Sequence, residues 1–314
     1  MSDRDPTGRD LAVGLALELR RRVLPALGSH AGRAHAGGGG DGDVTFAIDA
    51  DAEEHLERFV AERAPGTAFY SEDRGLVTRD GADRVLVVDP IDGTRPALAG
   101  FESACVAVAL ADLRDGAPTM GDVRVGVVVE IKSGARFVAE RGAGLEADTP
   151  VRLSPTVELD RLFWVYGLRG RPARPTIEVL AELIDRSSVG GGTFDLGSAA
   201  FDMTRVLTGQ LDAYVEPGPR IIEEVPDLRE EFERVGGGAV LNNAPYDLAA
   251  AWRCLVEGGA VVTDAAGRSL DDRPLLGRSA DFQMSMIAAG NPRLHERLVA
   301  EVDHGIDRLR ALRG

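Results

Sequence analysis

Leu11, Val13, Leu15, Leu19 and Val23 gather on one side of a 3.6-residue period, and that stripe predicts a helix over residues 10–27. Leu56, Phe59 and Val60 repeat the spacing and predict a second helix over 51–63. The period then changes. Residues 84–89 form a continuous apolar run ending in Asp89, the pattern of a strand buried on both faces that delivers a side chain at its tip. A short strand is predicted before it at 67–71, and three more follow at 105–111, 124–131 and 135–140. Around Leu153 the pattern shifts again, to helices over 176–185, 198–208 and 247–257 and a strand over 259–263. Strands in succession followed by helix–strand alternation predict a layered α/β or α+β protein. We read one unit in two halves, 1–152 and 153–314, with no internal repeat of fixed period. Residues 217–245, rich in Pro, Glu and Gly, read as an inserted lobe or loop.

The glycines of residues 35–42 interrupt this pattern. Gly37, Gly39 and Gly42 satisfy G-x-G-x-x-G, but a dinucleotide fingerprint must follow a strand and open a helix. The periodicity places a helix before them and none directly after, so the passage reads as a flexible loop and a candidate mobile flap over Gly37 to Gly42.

Composition narrows the chemistry. The 314 residues carry 51 Asp and Glu against 36 Lys and Arg, a formal charge of −15. That balance disfavours nucleic acid and anionic membranes as partners, since phosphate surfaces need a basic face. Apolar residues at 44% fit a folded chain with a substantial core. No stretch reaches the roughly 20 apolar residues of a membrane span. No basic segment followed by an apolar run opens the chain, so a cytoplasmic location is expected. Cys105 and Cys254 are far apart and sit in apolar runs, which predicts free buried thiols rather than a disulfide or a zinc site. Lys132 is the only lysine, and no Gly-Lys-Ser/Thr string exists for a phosphate-binding loop of the Walker type. Neither Gly-x-Ser-x-Gly nor His-Glu-x-x-His occurs, which removes the common serine-hydrolase and zinc-protease readings.

The segment richest in chemistry is Asp89-Pro90-Ile91-Asp92-Gly93-Thr94. Asp89 stands at a strand tip, and Asp92 follows after a proline that turns the chain. Two carboxylates so placed can reach the same pair of hard cations, which prefer oxygen ligands. Gly93 permits close approach of the backbone, and Gly93 with Thr94 can open a short helix whose free N–H groups face an anion. Acids beside an N–H-lined seat are what metal-assisted hydrolysis of a phosphate ester needs.

At these residues the sequence resembles the inositol monophosphatase superfamily, the lithium-sensitive, magnesium-dependent phosphatases. Its Asp-Pro-Ile/Leu-Asp-Gly-Thr/Ser string is intact at Asp89 to Thr94, and further motifs occur in the family's order. Upstream, Tyr70-Ser71-Glu72-Asp73 matches a segment ending in two acids, and Thr45 with Asp49 and Glu53 is similar to a Thr-x-x-Asp segment. Downstream, Gly197-Ser198-Ala199 and the run ending Ala213-Tyr214-Val215-Glu216 resemble the substrate side, and Tyr246-Asp247 stands where the family has Trp-Asp.

The resemblance implies a layered αβαβα sandwich, a homodimer, and two or three Mg²⁺ ions per site. Glu72, Asp89 and the carbonyl of Ile91 would hold one ion and Asp89, Asp92 and Asp247 a second, with a third, weaker ion near Glu72. It further implies that Gly93 and Thr94 seat the phosphate, that Thr94 and Asp49 orient the attacking water beside Glu72, and that Gly197, Ser198, Ala199 and Glu216 contact substrate. The implied substrate is a small phosphate ester such as an inositol monophosphate. Fructose 1,6-bisphosphate, a 3′(2′),5′-bisphosphate nucleotide and histidinol phosphate remain open, as does a non-catalytic regulator that binds metal or sugar phosphate. Glu216 and Asp247 are 31 positions apart, where the family has a short connection. The extra segment either reshapes specificity or is an inert excursion. A haloacid-dehalogenase-type reading of Phe46 to Asp51 is weaker, because Glu53 stands where that family has Thr or Val and Lys132 is the sole lysine.

Overall fold

The computed structural model describes residues 8–29, 33, 35–38, 44–113 and 117–313. The first half runs α1 (Gly8–Val23), β1 (His35–Gly38), β2 (Val44–Phe46), α2 (Ala47–Arg63), β3 (Ala68–Ser71), β4 (Gly75–Val77) and β5 (Arg84–Asp92). It continues with α3 (Thr94–Ala99), β6 (Cys105–Asp112), β7 (Val123–Glu130), β8 (Arg136–Glu140) and β9 (Gly144–Ala147). The second half begins with β10 (Phe163–Val165), α4 (Ala173–Ser187), β11 (Gly192–Phe194), α5 (Ala199–Thr208) and β12 (Ala213–Glu216). After these come α6 (Gly218–Glu224), α7 (Arg229–Val235), α8 (Pro245–Glu257), β13 (Val261–Thr263), β14 (Met286–Ala289) and α9 (Pro292–Arg313).

Two large sheets organise these elements, beside the two-stranded pair β1-β2. A seven-stranded sheet has the order β4-β3-β5-β6-β7-β8-β9, antiparallel except for the β3–β5 pair. A five-stranded sheet has the order β11-β10-β12-β14-β13. Because side chains alternate across a strand, each strand feeds two cores. Leu86 and Val88 of β5, with Val106, Val108 and Leu110 of β6, face α1 and α2. Val85, Val87, Cys105, Ala107 and Ala109 face the opposite way, onto α5 and α8. The same middle core receives Tyr214, Met286 and Ala288 from the second sheet, while Ala213, Val215, Ile287 and Ala289 turn to α4 and α9. The layers are therefore α, β, α, β, α, the sandwich that the sequence resemblance implied.

Three sequence readings change. The second helix opens at Ala47, not residue 51, because Asp49 accepts the Phe46 N–H (3.0 Å) and so satisfies a first-turn donor. The passage at residues 37–42 is preceded by the end of α1 and a short 3₁₀ turn, but Gly37 and Gly38 belong to β1, which pairs antiparallel with β2 directly before α2. Residues 39–42, the rest of the proposed flap, lie outside the described residues. Residues 217–245, read as an inserted lobe or loop, have regular structure and are no mere loop. They fold as α6, a 3₁₀ turn and α7, and bury Ile221, Val225, Leu228, Phe232 and Val240 against the second sheet's outer core.

Both cysteines are buried and free. Among the described residues no helix is long and apolar enough to cross a membrane.

Candidate active site

Strand β5 ends in an irregularity. Asp89 pairs with Ala107 and Asp92 with Cys105, so the two residues between them are absorbed in a bulge opposite one partner residue. Pro90, which has no N–H to offer a neighbouring strand, sits inside that bulge. The Ile91 N–H bonds back to Asp89 Oδ1 at 2.9 Å. Gly93 then adopts φ +87°, where a Cβ would come within 2.7 Å of the Ser103 carbonyl and 2.8 Å of Ser198 Cβ, so only glycine fits. Helix α3 starts at Thr94.

Three distant segments converge on this tip. Asp247 lies in the first turn of α8, a helix that Pro245 opens, and accepts the Ala244 N–H at 2.6 Å. Ligand oxygens of Asp89, Asp92 and Asp247 lie within 4.8 Å of one another. Asp49, from the first turn of α2, accepts the Thr94 hydroxyl at 3.0 Å, and that hydroxyl also faces the Ile91 carbonyl at 3.2 Å. Glu72 follows β3, lines the same cleft, and stands outside the mutual 4.8 Å cluster. Its charge nonetheless acts on Asp89, and its backbone carbonyl accepts Arg278 (2.9 Å). Tyr246 stacks on Tyr70 with ring centroids 6.1 Å apart, bracing the start of α8 against β3.

Electrostatics show why such a cluster is suited to a cation. Asp89 and Asp92 are only 2% and 6% exposed. Burial drives the Asp89 carboxyl well above the usual carboxylate range, and the charges of Glu72, Asp92 and Asp247 push it further. Burial pushes Asp247 up to about 7, with Asp92 adding to it and the Ala244 N–H opposing. Asp92 rises less freely, since Ser198 Oγ (2.8 Å) and the N–H groups of Ala200 (2.6 Å) and Ala199 (3.3 Å) all donate to it. Three hard carboxylate donors that repel one another when ionised fit a divalent oxygen-seeking ion such as Mg²⁺.

The substrate-side residues divide. Gly197, Ser198 and Ala199 line the cleft. Ser198 is the N-cap of α5, and its side chain and the following N–H groups hold Asp92. Glu216 also borders the cleft but is fully buried, with its carboxylate paired to Arg171 at 2.7 Å and bonded to the Gly218 N–H at 2.9 Å. Its Oε1 is thus engaged within the protein, while Oε2 meets Arg171 as an ion pair without a hydrogen bond of its own.

A family model described as the inositol monophosphatase family matches residues 7–306. The chain belongs to the inositol monophosphatase family. Among curated members, a fructose-1,6-bisphosphatase/inositol-1-monophosphatase of Methanothermobacter thermautotrophicus is 28% identical over 94% of this chain and 96% of its own length. A bifunctional NADP phosphatase/NAD kinase of Methanocaldococcus jannaschii is 25% identical over 93% of this chain, which spans 50% of that protein. Solved structures with this fold include the inositol monophosphatase of Thermotoga maritima (21% identity, TM-score 0.69, 96% of this chain and 98% of that one). The extragenic suppressor protein suhB of Bartonella henselae superposes similarly (21% identity, TM-score 0.70, 94% and 98%).

Within this inositol monophosphatase fold, the cleft contains residues that sequence reading did not single out. Arg169 and Arg171 enter from the loop after β10, and the end of the 217–245 segment supplies Val240 to Asn243. Gln283, 5% exposed, stitches that wall: it accepts the Asn242 N–H (3.2 Å) and donates to the carbonyls of Val240 (2.7 Å) and Arg278 (3.2 Å). Asn243 in turn joins Arg171 (3.1 Å) to the Tyr214 hydroxyl (2.6 Å). The Arg-Gly-Arg string after the apolar run at 163–165 was a usable signal for the first pair. Nothing local marked Gln283.

Proposed function

We propose that this chain is a Mg²⁺-dependent phosphomonoesterase acting on a small polyol or sugar phosphate of the inositol monophosphate kind. The observation that carries the reading is the trio Asp89, Asp92 and Asp247, the first two buried and the third half-buried, brought together from β5 and α8 beside the Asp49–Thr94 hydrogen bond. Asp89, Asp92, Asp247, Glu72 and the Ile91 carbonyl are the groups to hold metal. Bound Mg²⁺ supplies Lewis-acid charge neutralisation and lowers the pKa of a coordinated water. Thr94 directs its hydroxyl proton to Asp49, which leaves its oxygen lone pairs to accept a hydrogen bond from an attacking water and orient it. The N–H groups of Gly93 and Thr94, which line the cleft, are the ones to receive phosphate oxygens.

Substrate choice belongs to the wall of Arg169, Arg171 and Asn242, not to Glu216 alone. Relatives named for fructose 1,6-bisphosphate, inositol phosphate and NADP all lie within the family, so the test is a panel. Purified protein with Mg²⁺ should release phosphate from at least one of inositol 1-phosphate, fructose 1,6-bisphosphate, NADP and a 3′,5′-bisphosphate nucleotide. The Asp89→Asn variant should lose at least about 10³-fold in kcat. No turnover on any ester would favour the non-catalytic binding reading, and full activity of Asp89→Asn would refute the metal assignment.

A further inference from the structure

Helix α2 presents two acids one turn apart, which places them on the same face. The first, Asp49, reaches Thr94. The second, Glu53, turns to the chain that follows β3. Its Oε2 accepts the Ser71 hydroxyl at 2.7 Å, and its Oε1 accepts the Asp73 N–H at 3.2 Å. Ser71 and Asp73 are the residues on either side of Glu72. Glu53 is 2% exposed, and burial lifts its carboxyl to about 7 despite both hydrogen bonds. An acid so buried costs stability unless its partners compensate, and a neutral residue would suit a simple packing role better. The same turn is held from the far side of the cleft by Arg278, which donates to the Glu72 carbonyl at 2.9 Å. Glu72 itself stands outside the trio.

We propose that Glu53 is a positioning residue of the metal site: by bridging Ser71 and Asp73 it fixes the backbone of Glu72 and so aims that acid at Asp89. The inference rests on the phosphatase reading above. It also gives α2 a unified task, because one helix then places both the acid behind Thr94 and the acid beside the metal trio.

The test is Mn²⁺ binding to metal-free protein, followed by electron paramagnetic resonance of free Mn²⁺, alongside steady-state kinetics. Glu53→Leu keeps the side chain's bulk and loses both bonds; its Mn²⁺ affinity should fall about 10-fold or more, as for other residues that orient metal ligands. Its KM for the active ester should stay within about twofold, because no substrate contact is removed. Glu53→Gln can still accept from Asp73 N–H and donate to Ser71 Oγ, since a hydroxyl serves either role, so it should restore Mn²⁺ affinity to within about threefold of the parent. Should Glu53→Leu fail to fold, Ser71→Ala, which removes half of the bridge, should weaken Mn²⁺ binding several-fold with unchanged KM. Parental affinity in Glu53→Leu or in Ser71→Ala would overturn the assignment, and so would a Glu53→Gln variant as weak as Glu53→Leu. A parent protein that binds no Mn²⁺ would overturn this assignment and the phosphatase reading together.

Discussion

Asp92 shows how an acid that we propose binds metal is prepared by residues outside its own segment. Ser198 and the first N–H groups of α5 donate to it, so part of its lone-pair capacity is fixed in direction before any ion arrives. Thr94 is prepared in the same sense by Asp49. Replacing Thr94 by Val preserves shape while removing the hydroxyl. We expect kcat to fall about 100-fold with Mn²⁺ affinity and KM little changed, read by steady-state kinetics and a metal titration; an unaltered kcat would remove Thr94 from the water's path. The acids at Asp89, Asp92 and Asp247 were legible because each stands at a strand tip or a helix start within a contiguous motif. The true partners of Ser198 and Glu216 were not. A string such as Gly-Ser-Ala reads equally as a substrate contact or a helix cap, and the Arg171–Glu216 pair joins residues 45 apart that no local pattern links.

Among the elements, strongly periodic segments such as α1, β5, β6 and α8 were readable, since burial on one or both faces imposes the spacing directly. The 217–245 segment was not, because α6 and α7 are each a mere seven residues and their apolar positions, Ile221, Val225, Leu228 and Phe232, look sparse among Pro, Glu and Gly. Helix α9 escaped notice although Leu294, Leu298, Val302 and Ile306 recur every four residues. Packing gives the segment a measurable worth. Phe232 is fully buried, and Phe232→Ala should cost about 3–5 kcal/mol in urea unfolding, whereas an inert surface excursion would lose almost nothing. The wall at Val240 to Asn243 depends on the same packing through Gln283. Gln283→Ala should therefore raise KM for the physiological ester several-fold while leaving kcat for p-nitrophenyl phosphate, which has no polyol to recognise, within about twofold.

For the molecule as a whole, the charge of −15 resolves into two populations. Most acids among the described residues are exposed or only half-buried, many in surface ion pairs such as Arg136–Asp148 that contribute little. A small buried set stores electrostatic repulsion at the centre of the fold. Folding raises the carboxyls of Asp89, Asp247 and Glu53 above their unfolded values, the last two to about 7. The folded state thus binds more protons than the unfolded chain from about pH 4 to pH 7. By linkage, the stability those protons confer is complete below the unfolded pKa and is lost as pH rises through about 7. Metal-free protein should accordingly be less stable at pH 8 than at pH 6 by an amount on the order of 2 kcal/mol, and should melt at a lower temperature there. Mg²⁺ requires the deprotonated carboxylates, so its affinity should rise over the same interval and its binding should release protons. At 100 times its dissociation constant it should add about 2.7 kcal/mol, and at one fixed Mg²⁺ concentration the gain should be larger at pH 8. Scanning calorimetry with and without Mg²⁺ at the two pH values reads both effects. Asp247→Asn, which removes one ionisation without changing shape, should flatten the metal-free pH dependence and blunt the response to Mg²⁺. An equal Mg²⁺ shift at pH 6 and pH 8 in the parent protein would mean that the ion does not enter among these acids.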